Sequence, residues 1–179
     1  MNIASERRKI EDALNAYRDW LDTITNSEFL QTPQMGGWSY AEVYDHIMKA
    51  TLASTIALER CTNNNCPATK KGVTLIGWYL LLTESFPPFK IKVPEAIAEK
   101  MAPKKIDQEE GKNLIIKCRK RIEAIEGLVA GAPKNARWQH PRMGMLNAQQ
   151  WFKFIRIHLL HHLKQLERIK SNFSQQNFK

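Results

Sequence analysis

Apolar side chains recur at steps of three and four along four long stretches of the chain, the spacing that gathers them on one face of an α-helix. The first stretch runs from about Ser5 to Thr25 and aligns Ile10, Leu14, Tyr17, Leu21 and Ile24. The second, from about Tyr40 to Thr62, carries Val43, Ile47, Ala50, Ser54, Ala57 and Cys61. The third, from about Gln108 to Ala130, carries Ile115, Cys118, Ile122, Ile125 and Val129. The fourth runs from about Ala148 to Ser171. No stretch alternates with period two between hairpin turns, so no strand is predicted. The pattern predicts an all-α four-helix bundle, one domain spanning residues 1–179.

Two of these helices open with full start signals. Ser39 precedes Glu42 by three residues, a capping box, and Trp38 is placed to staple onto Val43. Asn147 and Gln150 repeat the box, and Leu146 with Trp151 repeats the staple. Asp107 and Glu110 open the third helix in a similar way. Side chains near these entry points are therefore held with little slack.

The connections are uneven. Helices one and two are joined by "NSEFLQTPQMGG", helices three and four by "GAPKNARWQHPRMGML". Between helices two and three lies a crossover from Asn63 to Ile106. Within it, Val73 to Phe86 suits a short buried helix, and Pro87, Pro88, Pro94 and Pro103 predict an irregular path. A link of that length can return the chain to either end of a bundle, so strict up-down-up-down order is not forced.

Composition narrows the class. Apolar residues make up 43% of the 179 and charged residues 25%, as in soluble globular proteins. The longest apolar run, Val73 to Leu82, is about half of what spans a bilayer. "MNIASERRKI" lacks the apolar stretch of a secretion signal, so a cytoplasmic protein with no membrane partner is expected. Cys61, Cys66 and Cys118 form no CxxC pair and read as reduced thiols. The net charge of +9 raises the question of nucleic acid. Its densest stretch, "KCRKR" at Lys117 to Arg121, with Lys90, Lys92, Lys104 and Lys105 upstream, interleaves with apolar residues like a solvated helix face. No nucleic-acid-binding module accompanies it, so nucleic acid is an unlikely partner.

Chemistry gathers in "RIHLLHHLKQ", Arg156 to Gln165. At about 100° per residue, His158 and His162 fall inside the apolar sector defined by Trp151, Ile155 and Ile169, one turn apart. His161 falls on the flank. Two imidazoles at i and i+4 can converge on one ion. His46, beside the apolar stripe of helix two, is the only other histidine on a predicted helix. His46, His158 and His162 thus make a candidate metal site with an open coordination position, which suits catalysis better than a closed structural site. The competing reading is core histidines hydrogen-bonded to their neighbours. Gln165, one turn beyond His162, is a candidate to orient it from behind. Asp45 points away from the site by helix geometry, and Cys61 lies too far along its helix to be a ligand. His140, before Pro141, reads as a solvated loop residue, or else as a loop histidine near the mouth of the site that could act as an acid or base.

"GGWSYAEVYDHIMKA" resembles the W-S-x-x-E-V-x-x-H segment of the DinB-like superfamily, and "HPRMGMLNAQQWFKFIRIHLLHHLKQLERI" resembles its last helix with the H-x-x-H-H-x-x-Q pattern. The resemblance implies a four-helix bundle of up-down-down-up order. It implies a divalent metal, zinc or nickel, held by His46, His158 and His162, with His161 as the extra histidine that is not a ligand. It also implies a homodimer, for which "VTLIGWYLLL" is a candidate surface or else core. Relatives with known chemistry join a small-molecule thiol to an electrophile, which makes thiol transfer in detoxification or stress response the leading expectation. No catalytic acid or base can be named from the sequence, and the same open site suits activation of water for hydrolysis. A non-catalytic metal-binding or interaction protein is the alternative, and nucleic-acid binding the third reading.

Overall fold

The computed structural model describes residues 1–88 and 102–176, the last three of these as backbone. Lys90, Lys92 and Pro94, which the sequence reading placed in the crossover, lie outside the described residues. The chain forms α1 (Ile3–Thr23), α2 (Asn26–Leu30), α3 (Tyr40–Thr62), α4 (Leu75–Thr83), α5 (Gln108–Val129), β1 (Arg137–His140), β2 (Gly144–Asn147) and α6 (Ala148–Gln176). The four long helices match the four predicted stretches to within a few residues at each end. The expected helix over Val73 to Phe86 is confined to α4.

The helix starts are capped as the sequence predicts. Ser39 and Glu42 form a reciprocal box at α3, and Asn147 and Gln150 exchange 3.0 Å hydrogen bonds at α6. The Asp107 carboxylate accepts from the Glu110 amide at 2.7 Å. The short α2 was not foreseen, although its own box of Thr25 and Glu28 is complete.

Pairwise contacts fix the helix directions. The C-terminal part of α1 meets the start of α3, with the Tyr44 hydroxyl donating to the Tyr17 carbonyl at 2.6 Å, so the two run antiparallel. The Gln108 amide at the start of α5 donates to the carbonyl of Ile24 after the end of α1, and Arg7 near the start of α1 pairs with Glu126 near the end of α5. Hence α5 is antiparallel to α1 and parallel to α3. Glu6 pairs with Arg156, and the Tyr17 hydroxyl donates to the Leu159 carbonyl, so α6 runs parallel to α1. The order is up-down-down-up, and the parallel α3 and α5 require the long crossover to climb the bundle between them. Both α1 and α3 pack chiefly on α5 and α6. The interior is closed by Ile10, Leu14, Tyr17, Tyr44, Ile47, Ile115, Ile122, Phe152 and Leu166, all essentially inaccessible.

The prediction of no strands is corrected. β1 and β2 pair antiparallel from Arg137 opposite Asn147 to His140 opposite Gly144. With four residues each, they are too short to display a period in the sequence. Gly144 closes the turn at φ +80°, and a Cβ there would lie 2.5 Å from the Gly72 carbonyl oxygen, so glycine is required on two counts. The hairpin is stitched to the chain before α4. The amides of Thr74 and Met145 donate to the carbonyls of Met143 and Gly72 at 2.9 and 3.0 Å.

Candidate metal centre

Helices α3 and α6 place the three predicted histidines against one another. One ligand nitrogen from each of His46, His158 and His162 lies within 4.8 Å of the other two. His46 stands two turns into α3, behind its capping box, and the other two stand one turn apart on α6. The Nε2 atoms of His158 and His162 are 3.1 Å apart. Two nitrogens bound to one tetrahedral ion at ~2.05 Å stand ~3.3 Å apart, so that pair already has the spacing of shared ligands. The widest pair has at most ~1.5 Å to close, within reach of small side-chain rotations.

The donor set suits a metal in its protonation as well as its spacing. His162 is buried, and its Nδ1–H donates to Gln165 Oε1 at 2.7 Å. That bond fixes the tautomer and leaves the Nε2 lone pair facing the cluster, the arrangement that supports imidazole ligands in metalloproteins. Burial, with repulsion from His46 and His161, pushes His162 down to about 3. Burial also holds His158 well below its ordinary value, with repulsion from His162 and His46 adding to it. His158 and His162 are therefore neutral near pH 7, the form in which imidazole binds metal. Fit and chemistry agree: soft-to-borderline nitrogen donors on three sides and a cavity on the fourth.

That cavity, of about 1210 Å³, opens above the cluster. Its walls include Trp38, Phe86, Trp138, Trp151 and Phe154. Phe154 stacks on His158 with centroids 5.1 Å apart, and Phe86 lies 4.2 Å from His161. His161 thus borders the cavity from the flank, as expected, and burial beside Arg168 and Lys164 lowers it to about 4. Trp38, placed by the sequence to staple onto Val43, has its ring 5.0 Å from His46 and parallel to His162. The carboxylate of Asp45 turns away as predicted, accepting from the Lys104 amide at 2.9 Å and pairing with Lys49. Cys61 is buried at the far end of α3, its Sγ 3.7 Å from that of Cys66.

His140 corrects a second expectation. It is half-buried rather than solvated, because β1 carries it against Trp151 and Phe154. Burial, with repulsion from Arg142, lowers it to about 4. Its neighbour Arg142 also lines the cavity and was not singled out from sequence. The signal available was the "HPRMG" stretch itself, whose proline and glycine mark a tight turn.

Comparison with known proteins gives the fold a context. A family model described as the DinB superfamily matches residues 9–166. Two solved structures resemble the chain over nearly its whole length. One is reported as the crystal structure of TT2238, a four-helix bundle protein; it shares 17% identity at a TM-score of 0.61, covering 93% of this chain and 99% of that one. The other is YfiT from Bacillus subtilis, described as a probable metal-dependent hydrolase with an unusual four-helix bundle topology; it shares 14% identity at a TM-score of 0.64, covering 96% and 87%. No curated protein matches.

Proposed function

Since the chain belongs to the DinB superfamily, we propose that it is a divalent-metal-dependent enzyme whose ion, zinc or nickel, is held by His46, His158 and His162, and that it transfers a small-molecule thiol to an electrophile. The observation that carries the reading is the convergence of three imidazoles at the floor of an aromatic cavity. When bound, such an ion supplies Lewis acidity, lowering the pKa of a thiol or water that it ligates. The chain's own residues do the rest. Gln165 holds the His162 tautomer, Phe154 and Trp38 fix the ring planes of His158 and His162, and the aromatic walls exclude bulk water from the reacting groups.

Between thiol transfer and hydrolysis, the cavity's carboxylates favour the first, although the imidazole of His161, which also lines the cavity, is a base that hydrolysis could use. A bound water attacking an ester or amide calls for a nearby base. Among the described lining residues the carboxylates are Glu84 and Glu167. Glu84 is engaged by Lys153 and Arg156, which hold its carboxyl below the usual range. Glu167 is exposed. A thiol made acidic by an ion is already a nucleophile and needs no such base. The volume is also ample for two small substrates at once.

The remaining readings rank below this one. In the "KCRKR" stretch, Arg119 pairs with Glu11 and Arg121 with Glu59, which reduces the charge available to nucleic acid. No helix among the described residues is long and apolar enough to cross a membrane. A cytoplasmic location accords with three free cysteines. The homodimer implied by the family resemblance would use the outer face of α4, where Leu75, Trp78, Tyr79 and Leu82 are exposed; sedimentation velocity checks it. The test of function is turnover of small thiols with a panel of electrophiles, and of esters and amides, by metal-loaded protein and by His158→Ala. Thiol consumption that depends on His158 is expected. Hydrolysis without thiol consumption transfers the assignment to a hydrolase. Metal binding with neither activity leaves a non-catalytic metal protein.

A further inference from the structure

The mouth of the cavity carries two polar groups that the metal reading does not use. His140 Nδ1 accepts from the backbone amides of Arg142 and Met143 at 3.2 and 3.1 Å. With Nδ1 committed as an acceptor, the ring is neutral and its proton sits on Nε2, so it acts as a donor. Arg142 is half-buried in the cavity wall. Among the described residues its guanidinium meets no carboxylate and no hydrogen-bond acceptor, whereas the buried Arg156 is held by two glutamates. A guanidinium in a cavity wall with no carboxylate on it keeps its donors available for an anion.

The turn that presents these groups is rigid. Thr74 Oγ1 donates to the Arg142 carbonyl at 2.8 Å, and the Thr74 amide donates to the Met143 carbonyl at 2.9 Å. Phe154 links this turn to the histidine cluster, with its ring 4.6 Å from His140 and 5.1 Å from His158. The charge balance of the walls agrees, since Lys164 and Arg168 add to Arg142, Glu84 is already neutralised, and Glu167 offsets only one of the three.

We propose that Arg142, assisted by the Nε2–H of His140, is a specificity-determining anion site, and that the substrate is a carboxylate-bearing molecule with an apolar body between its carboxylate and its reactive group. This rests on the preceding reading that the cavity is the substrate site. The apolar body lies along Phe154 and Trp151, the carboxylate takes paired donors from Arg142, and the reactive end reaches the three histidines.

The probes are 4-(mercaptomethyl)benzoate and its primary amide, which differ only in the charge at the end distal to the thiol. Affinity is measured by calorimetry on the metal-loaded protein and again in chelator, where no ion can hold the carboxylate. In both states the acid is expected to bind about tenfold or more tightly than the amide, the scale of a charge-assisted pair. Arg142→Gln brings the two within about twofold of each other, and Arg142→Lys retains part of the preference. Equal affinity for acid and amide, or a preference that survives Arg142→Gln, overturns the inference. A preference seen only with metal and untouched by Arg142→Gln also overturns it, because the carboxylate then sits on the ion. Cobalt-loaded protein separates this from the functional reading. A thiolate-to-cobalt absorption band with either probe reports thiol at the metal whatever Arg142 does, and its absence counts against the thiol reading alone.

Discussion

Replacing Gln165 by leucine removes one hydrogen bond, and its consequence can be worked from the geometry. Gln165 Oε1 receives the Nδ1–H of His162 at 2.7 Å, which pins the ring with Nε2 toward His46 and His158. Leucine fills similar space with no acceptor. The Nδ1–H of a buried ring then loses its partner, a cost of ~1–3 kcal/mol to the metal-free fold. The alternative tautomer, with hydrogen on Nε2, becomes competitive and must be reversed before an ion binds. Loss of such an orienting partner typically weakens metal affinity 10- to 100-fold, or ~1.4–2.8 kcal/mol. Gln165→Glu keeps an acceptor and adds charge, so its affinity is expected to equal or exceed that of the parent. Competition with a chromophoric chelator measures all three. If Gln165→Leu binds zinc within about twofold of the parent while remaining folded, Gln165 does not set the tautomer and the reasoning fails.

Other predictions follow from the same structure. Arg156 is buried between Glu6 and Glu84 at 2.6 and 2.7 Å, so Arg156→Ala strands buried charge and is expected to cost ~3–5 kcal/mol in urea unfolding, against a much smaller loss for Arg156→Met paired with Glu6→Gln. His140 sits at about 4 in the folded chain against an ordinary 6.5. The unfolded chain therefore binds more protons between those values. Its contribution to stability is complete above pH 6.5 and declines as pH falls toward 4, at no more than ~1.4 kcal/mol per unit. Urea melts across that range should show a shallower slope in His140→Gln, and an unchanged slope contradicts the burial argument. Gly144→Ala forces a Cβ to within 2.5 Å of the Gly72 carbonyl at positive φ. A loss of at least ~1–3 kcal/mol is expected, read by thermal melting, and a neutral effect would mean that the hairpin is not clamped as described.

How much of this was legible in the sequence depended on how local each signal is. The four long helices carry their periodicity over twenty residues or more, and the boxes at Ser39 and Asn147 mark two starts within one residue. His158 and His162 share a helix, so their common face could be counted. His46 could be grouped with them as the only other histidine on a predicted helix, and the family resemblance supported the grouping, because the sequence pattern contains no direct measure of how α3 and α6 are docked. The hairpin escaped because its strands are four residues long and its stability comes from pairing with the chain before α4. His140 was misplaced for the same reason: its burial is conferred by α6 and the turn, not by its own neighbours in sequence. Position alone suggested Trp38 as a staple, and the sequence gives no signal that its ring also reaches His46.

The metal content of untagged protein, determined by elemental analysis alongside protein concentration, bears most directly on the central claim. The account predicts close to one divalent ion per chain in the parent, lost in each of His46→Ala, His158→Ala and His162→Ala while helical circular dichroism persists. A parent that takes up no zinc or nickel at micromolar free metal, or a His162→Ala chain that keeps its ion, would contradict it.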